Sequence, residues 1–212
     1  MGSSSTNPRE SYHHGHLREA LIEVGLAIVE EQGIDAVSLR AVARRAHVSH
    51  SAPYHHFHSK SELLAALAAA GFDRLVAAIQ VKIAHVPSDD PITQLRAIGR
   101  SYMQFAAKNP SVFRLMFRPE LTKPSEHRQL QEAEARAFGT LIGSIVHCQQ
   151  AKQLPSSDPL QLAACAWSSV HGLATLRVEQ LLNETPLGNY VWEELVETIT
   201  EFVIDGLTTL KK

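Results

Sequence analysis

Three features that would assign a chain to a particular class of protein are scarce or absent in this sequence. Two cysteines, Cys148 and Cys165, occur among 212 residues, and they lack the paired spacing of a disulfide scaffold. The longest stretch without a polar side chain, residues 63–72, falls well short of the roughly 18 residues that a membrane helix needs. No segment typical of a signal peptide stands near residue 1. We therefore expect a cytoplasmic protein without a membrane partner.

The net charge of the chain is low as well. Its 20 basic and 22 acidic side chains leave a formal charge of −2, so the molecule as a whole does not attract a polyanion. A surface for nucleic acid must therefore be local. Hydrophobic residues make up 44% of the chain, which is enough to build a core and excludes disorder as the main state. Residues 1–6 are rich in serine, and we interpret residues 1–11 as a flexible tail.

Hydrophobic residues recur at helical spacing from Leu17 to Leu210, and no window shows the alternation of a β-strand. The pattern predicts an all-α fold of about nine helices, with breaks at glycine, proline and asparagine. The predicted helices cover residues 17–32, 39–46, 50–57, 59–85, 91–108, 110–117, 125–152, 159–182 and 189–210.

Three local signals define the short N-terminal helices. Ser38 offers an N-cap oxygen to the second helix, and Pro53 is tolerated only in the first turn of the third. Ser59 and Glu62 have the spacing of a capping box, in which each side chain satisfies the backbone N–H of the other. These signals place a longer helix after two short ones.

Positive charge and imidazoles are concentrated in residues 37–60. This segment holds Arg40, Arg44, Arg45 and Lys60 without any acid, and it carries five of the twelve histidines. A long helix followed by two short ones, all joined by tight turns, describes a helix-turn-helix unit that can enter a DNA major groove. The spacing and the local charge together predict a DNA-binding surface. Arg44 and Arg45 are equally consistent with a solvated face.

The first part of the chain resembles a known family. Residues 12–18 (YHHGHLR), 38–40 (SLR) and 48–64 (VSHSAPYHHFHSKSELL) are similar to the DNA-binding domain of the tetracycline-repressor (TetR/AcrR-type) family of bacterial regulators. The resemblance implies a homodimer that binds a palindromic double-stranded DNA operator and releases it when an unidentified small-molecule effector enters the second domain. The implied domains are residues 12–74 for DNA binding and 75–212 for ligand binding and dimerisation.

The resemblance also assigns DNA-facing positions residue by residue. They are Arg40, His50, Ser51, Ala52, Tyr54, His55, His56 and Lys60. Tyr54 and Lys60 would anchor phosphates, and His50 and His55 are candidates for base edges. Pro53 departs from the family pattern, because many members have an aliphatic residue there, and this leaves the start of the recognition helix open. Residues 12–16 would lie along the DNA backbone or in a minor groove, or be disordered.

The second half resembles one branch of that family more loosely. Residues 109–117 and 167–173 are similar to the branch whose ligand domain is named for a Trp-His-Gly (WHG) signature. The candidates for an apolar ligand pocket, with ordinary core packing as the alternative, are Met103, Phe113, Met116, Phe117, Phe138, Trp167 and His171. Two wide apolar faces on the last two helices predict a four-helix dimer interface, with a buried hairpin of a monomer as the alternative. The interface candidates are Leu162, Val170, Leu173, Val191, Leu195, Ile199 and Phe202.

Other readings of these residues are weaker. His55 and His58 have helical spacing, but no carboxylate or thiol lies close in sequence to complete a metal site, so we expect no metal and no cofactor. The sequence has no set of nucleophile, base and orienting group and no Gly-rich phosphate loop, so we do not expect an enzyme. The rival hypothesis is a helical enzyme or small-molecule carrier that does not bind DNA and uses Trp167 and His171 as its site.

Overall fold

The computed structural model describes residues 16–121 and 127–210, and every regular element among them is helical. The predicted all-α fold is confirmed. The tail at residues 1–11 and residues 12–15 of the predicted arm lie outside the described residues. The α-helices are α1 (Leu17–Gln32), α2 (Leu39–Arg45), α3 (Lys60–Ile83), α4 (Pro91–Lys108), α5 (Pro110–Met116), α6 (Arg128–Gln150), α7 (Pro159–Val178) and α8 (Trp192–Thr209).

The described residues thus form eight α-helices rather than nine, because the predicted helix at residues 50–57 is a single 3₁₀ turn, Ala52–His55. The backbone carbonyl of Pro53 accepts from His56 N–H at 3.0 Å and from Phe57 N–H at 2.9 Å. One carbonyl therefore closes the turn. The helix does not continue beyond it, because Phe57 is fully buried in the core. The prediction of an α-helix here was wrong in type and in length.

The local caps explain where the N-terminal helices begin and end. Ser38 Oγ accepts from Ala41 N–H at 3.1 Å, and Ser59 Oγ accepts from Glu62 N–H at 3.1 Å. The Glu62 carboxylate accepts from His58 N–H at 2.7 Å, one residue before the donor that a standard capping box uses. Gly33 ends α1 with φ of +83°, a left-handed conformation that glycine adopts without strain.

The boundaries of the last two predicted helices also shift. α7 stops at Val178 instead of residue 182, because Gln180 adopts a left-handed φ of 59° and the N–H of Leu181 turns back to the carbonyl of Leu176. α8 begins at Trp192, after a 3₁₀ segment, Pro186–Asn189, that the sequence assigned partly to the helix.

Helix α3 joins the N-terminal unit to the rest of the protein. It packs on α1 as well as on α4, α5 and α6. By length and composition alone, α3 is apolar enough to cross a membrane, as no other described helix is. However, 56% of its most apolar window is buried among the other helices, which is the behaviour of a core helix. The predicted domain boundary near residue 74 falls inside this continuous helix and stays a prediction.

Candidate nucleic-acid interface and apolar cavity

The predicted DNA-facing residues lie on α2, on and next to the 3₁₀ turn that packs against it, and at the start of α3. Arg40 is exposed on α2, and Lys60 is exposed at the start of α3. Tyr54 is 47% exposed on the 3₁₀ turn, which packs against α2. His50, Ser51 and His55 are also exposed, whereas Ala52 and His56 are half-buried.

The cations of this segment differ in their availability. Arg45 makes a two-pronged ion pair with Glu31, both N···O distances being 2.5 Å. Arg40 and Arg44 make no hydrogen bond or ion pair with any residue in the described ranges, and Lys60 Nζ reaches only the backbone carbonyl of Asp35 at 3.4 Å. Three cations are therefore free for an anion, and Arg45 is held in the fold.

Two buried side chains hold the turn in place. Phe57 is fully buried and Pro53 is buried, whereas Tyr54 and His55 between them are exposed and His56 is half-buried. The guanidinium of Arg18 on α1 lies over the Phe57 ring, 5.4 Å from its centre. The exposed cations on α2 and at the start of α3, together with the phenol and imidazoles of the anchored segment between them, can bind phosphates and base edges.

An apolar cavity of about 380 Å³ lies between α3, α4, α6, α7 and α8. This volume is within the range of small-molecule sites, which is about 300–1,000 Å³. Its lining is Phe72, Leu75, Ile79, Leu95, Ile98, Gly99, Tyr102, Phe117, Glu134, Ala137, Phe138, Leu141, Ala166, Trp167, Val170, Thr200, Val203 and Ile204.

The structure sorts the predicted pocket residues into three groups. Phe117, Phe138 and Trp167 line the cavity. Phe113 and His171 do not line it but border a neighbouring cleft beside Arg114 and Ile34. The two methionines are fully buried elsewhere in the core and reach neither space: Met103 and Met116.

A hydrogen-bonded chain connects the cavity wall to His171. The indole N–H of Trp167 donates to the phenol oxygen of Tyr102 at 3.3 Å, and that hydroxyl lies 2.7 Å from Nδ1 of His171. The phenol proton then points at Nδ1, which we assign as the acceptor, and Nε2 carries the imidazole proton. Burial lowers the pKa of His171 and strongly raises the pKa of Tyr102, so both groups are neutral.

The depressed pKa of His171 predicts a measurable pH dependence of stability. The unfolded chain has an ordinary histidine pKa of about 6.5 and therefore binds a proton that the folded state rejects. The free energy of unfolding should fall as the pH drops through that value. We expect His171→Gln to lose less stability than the wild type between about pH 7.5 and about pH 5.5 in urea unfolding. Equal losses in the two proteins would contradict the assignment.

Glu134 is the one acidic or basic side chain among the lining residues. It is half-buried on α6, and burial raises the pKa of its carboxyl. It makes no hydrogen bond or ion pair with any residue in ranges 16–121 and 127–210. The same ranges contain no cluster of His, Cys, Asp or Glu side chains fit to hold a metal ion.

The outer face of α7 and α8 carries exposed apolar side chains. Phe202 is 68% exposed and Leu160 is 56% exposed. Val191, one of the predicted interface residues, is 54% exposed, and the predicted residues Leu195 and Ile199 are half-buried.

Three other predicted interface residues face the wrong way for a partner: Leu162, Val170 and Leu173. They are 2%, 7% and 8% exposed and pack into the core of their own chain. Helix α7 is apolar on two faces, and the predicted interface residues lie on the face that packs into the core of the same chain. One exposed stripe of this helix consists of Leu160, Ala164, Ser168, Gly172 and Leu176.

Two sequence models of known families match this chain. The one described as bacterial regulatory proteins of the tetR family matches residues 21–67, and the one described as a tetracyclin repressor-like C-terminal domain matches residues 95–199. Together they cover both the helix-turn-helix segment and most of the cavity-lining helices.

Individual relatives are similar to this chain in sequence over most of its length. The chain is 29% identical over 174 residues to the HTH-type transcriptional regulator BetI of Rhizobium meliloti, covering 80% of each protein. It is 26% identical over 185 residues to BetI of Yersinia pestis, covering 84% of this chain and 92% of that protein. A solved structure of a protein of unknown function from Rhodococcus sp. RHA1 is 30% identical to this chain and has a TM-score of 0.79. The match covers 96% of this chain and 100% of that one.

Proposed function

Because this chain belongs to the tetracycline-repressor family of bacterial transcriptional regulators, we propose that it is a cytoplasmic, homodimeric repressor that a small molecule releases from its operator. The observation that carries the proposal is the exposed surface around the anchored turn after α2. The free cations Arg40 and Lys60 lie on the helices on either side of the turn, in a segment without acids that falls within the tetR-family match. Trp167, His171 and Gly172 support the further assignment to the Trp-His-Gly branch.

On the DNA, the roles follow from the chemistry of each side chain. Arg40 and Lys60 neutralise phosphates, and the Tyr54 hydroxyl donates to a phosphate oxygen. His50 and His55 are exposed on the same surface and present ring N–H groups to base edges in the major groove. None of these contacts requires the half-buried Ala52 or His56 to move.

Two copies of the chain are needed for a palindromic site. The exposed apolar face of α7 and α8 fits a two-fold pairing into a four-helix bundle. The bundle fixes the separation of the two DNA-binding turns, so both half-sites are bound only when their spacing matches.

The effector acts through the wall that the cavity shares with the N-terminal unit. Phe117, at the end of α5, lines both the cavity and the neighbouring cleft, and Ile34 of the N-terminal unit borders that cleft. α5 also packs against α1. A ligand that displaces Phe117 therefore biases the position of the DNA-binding turn. A coupling of about 1–3 kcal/mol changes operator affinity by about 5- to 150-fold.

Selection of bound DNA from a random pool tests the proposal directly. We expect an enriched palindrome whose half-site centres lie about one helical turn, roughly 34–36 Å, apart or a multiple of it. Failure to enrich any sequence would overturn the DNA-binding role and favour the rival, a helical carrier or enzyme.

The salt dependence of operator binding provides a further prediction. Two cations per subunit, Arg40 and Lys60, give a slope of log K against log salt of about −4 for the dimer, at about −0.9 per cation. Arg40→Ala should weaken binding and make the slope shallower by about 2, measured by fluorescence anisotropy. Arg45→Ala is the matched control, because Arg45 is already paired with Glu31 and should leave the slope unchanged. A slope near zero in the wild type would contradict the assignment.

A further inference from the structure

A carboxylate lies in the wall of the apolar cavity. Helix α6 presents Glu134, Ala137, Phe138 and Leu141 to the cavity. These positions are i, i+3, i+4 and i+7, which form one stripe of a helix. Three of the four residues are apolar, as the interior of a helical bundle requires, and Glu134 breaks the pattern. A glutamate here costs stability unless something compensates for the charge.

The other polar groups of the cavity wall are already satisfied by the protein. Thr200 Oγ1 donates to the carbonyl of Val196 at 2.7 Å. The Tyr102 hydroxyl lies between Trp167 and His171, within hydrogen-bonding distance of both. Glu134 alone has no hydrogen bond or ion pair with a described residue, and burial raises the pKa of its carboxyl. A ligand therefore meets one unmatched polar group, a carboxyl whose ionised form accepts hydrogen bonds and pairs with a cation.

The remaining wall suits a cation with a hydrocarbon body. Five aromatic rings line the cavity: Phe72, Tyr102, Phe117, Phe138 and Trp167. Neighbouring rings pack edge-on. The ring centres of Phe72 and Phe117 lie 5.4 Å apart, and those of Phe138 and Trp167 lie 6.1 Å apart. Ring faces attract cations, and the attraction grows when water is excluded. The same faces bind methylene and aryl groups through burial of apolar area.

We propose that the cavity binds an apolar organic cation, such as an aryl- or alkyl-substituted amine, whose positive group pairs with Glu134. An anionic effector would place two negative charges together in an apolar space. A neutral hydrocarbon would leave the carboxylate unpaired. The proposal rests on the proposed function only in taking this cavity as the effector site.

Three ligands of nearly equal size and shape test the charge requirement: phenylbutylamine, phenylbutanol and phenylbutyrate. Calorimetric titration of the full chain without DNA should give an amine affinity about tenfold above that of the alcohol, with the carboxylate weakest. Glu134→Gln should bring the amine and the alcohol within about twofold of each other. The alcohol affinity itself should hardly change, because the hydrocarbon contacts are the same.

The control variant is Glu132→Gln on the same helix. Glu132 is exposed and paired with Arg128, so its removal should leave the preference for the amine intact. Equal binding of amine and alcohol to the wild type, or binding of none of the three, would overturn the proposal. Preference for phenylbutyrate would also overturn it, since Glu134 would then be protonated and paired with an acid.

Operator binding separates this proposal from the repressor function. Without amine, Glu134→Gln should bind the selected operator as the wild type does, because Glu134 lies on α6 in the cavity wall and none of the predicted DNA-facing residues is on that helix. If the amine binds but no operator can be selected, the cation site stands and the repressor function falls. If an operator is bound but the amine binds no more tightly than the alcohol, the repressor function is supported and the cation site is wrong.

Discussion

A Phe202→Glu variant is expected to be monomeric and to bind the operator at least about 100-fold more weakly than the wild type. Two half-sites read by a linked pair gain about 10²–10⁴ in affinity over one half-site, and a monomer forfeits that gain. The substitution would place a carboxylate from each chain inside an apolar interface, where an unpaired charge is strongly unfavourable. Phe202 is 68% exposed in the single chain, so folding of the protomer should not suffer.

The measurement has two parts. Light scattering gives the oligomeric state, and fluorescence anisotropy gives operator affinity across a range of protein concentration. Val81→Glu is the matched control, because Val81 is 59% exposed on α3, away from the outer face of α7 and α8. A Phe202→Glu protein that remains dimeric would show that this face is not the interface.

The outer face is also shaped for close approach. Gly172 on α7 and Gly206 on α8 have nothing within 4 Å of the position where a Cβ would stand. Gly172 shares its face with Leu176, and Gly206 shares its face with Phe202, each pair being four residues apart. Large apolar side chains beside open positions allow two copies to interdigitate, which flat apolar surfaces do not.

Elements controlled by neighbouring residues were predictable from the sequence. The N-caps at Ser38 and Ser59 and the glycine stop at Gly33 each depend on residues within one turn, so α1, α2 and α3 begin or end as predicted. The turn at Ala52–His55 was not, because burial of Phe57 decides it and burial depends on distant helices. Local spacing alone favoured a longer helix there.

The cavity could be predicted only in part for the same reason. Phe117, Phe138 and Trp167 stood out as aromatic residues, whereas Phe72 and Tyr102 sit in apolar stripes that look like ordinary core. Whether an apolar residue faces a void or a neighbour depends on the packing of five helices. Glu134 is visible in the sequence as an acidic residue inside the apolar stripe of α6, but it is not among the predicted pocket residues.

The predicted interface residues on α7 are buried, whereas those on α8 are half-buried or exposed, and their role in an interface stays a prediction. α8 has a single apolar stripe with polar residues behind it, so its outward residues can be identified. α7 is apolar nearly all round, and its inner residues Leu162 and Val170 cannot be told from its outer ones by periodicity.

Phe57→Ala is expected to lower the free energy of unfolding by about 3–5 kcal/mol, the usual cost of removing a fully buried aromatic ring. The ring fills the space between α1 and the turn that carries the DNA-facing residues, and Arg18 covers it. A void there removes the anchor that holds the turn in place, so operator binding should be lost together with stability.

Tyr54→Ala separates the two effects. Tyr54 is 47% exposed, so its removal should change stability by no more than about 0.5 kcal/mol while weakening operator binding through the lost phosphate contact. Phe57→Leu keeps most of the buried volume and should cost less than about 1.5 kcal/mol. Urea unfolding followed by circular dichroism measures stability, and anisotropy measures binding on the folded fraction. If Phe57→Ala retained wild-type stability, the turn would not depend on the buried Phe57 ring. The proposal that this ring fixes the position of Tyr54 on the DNA would then be wrong.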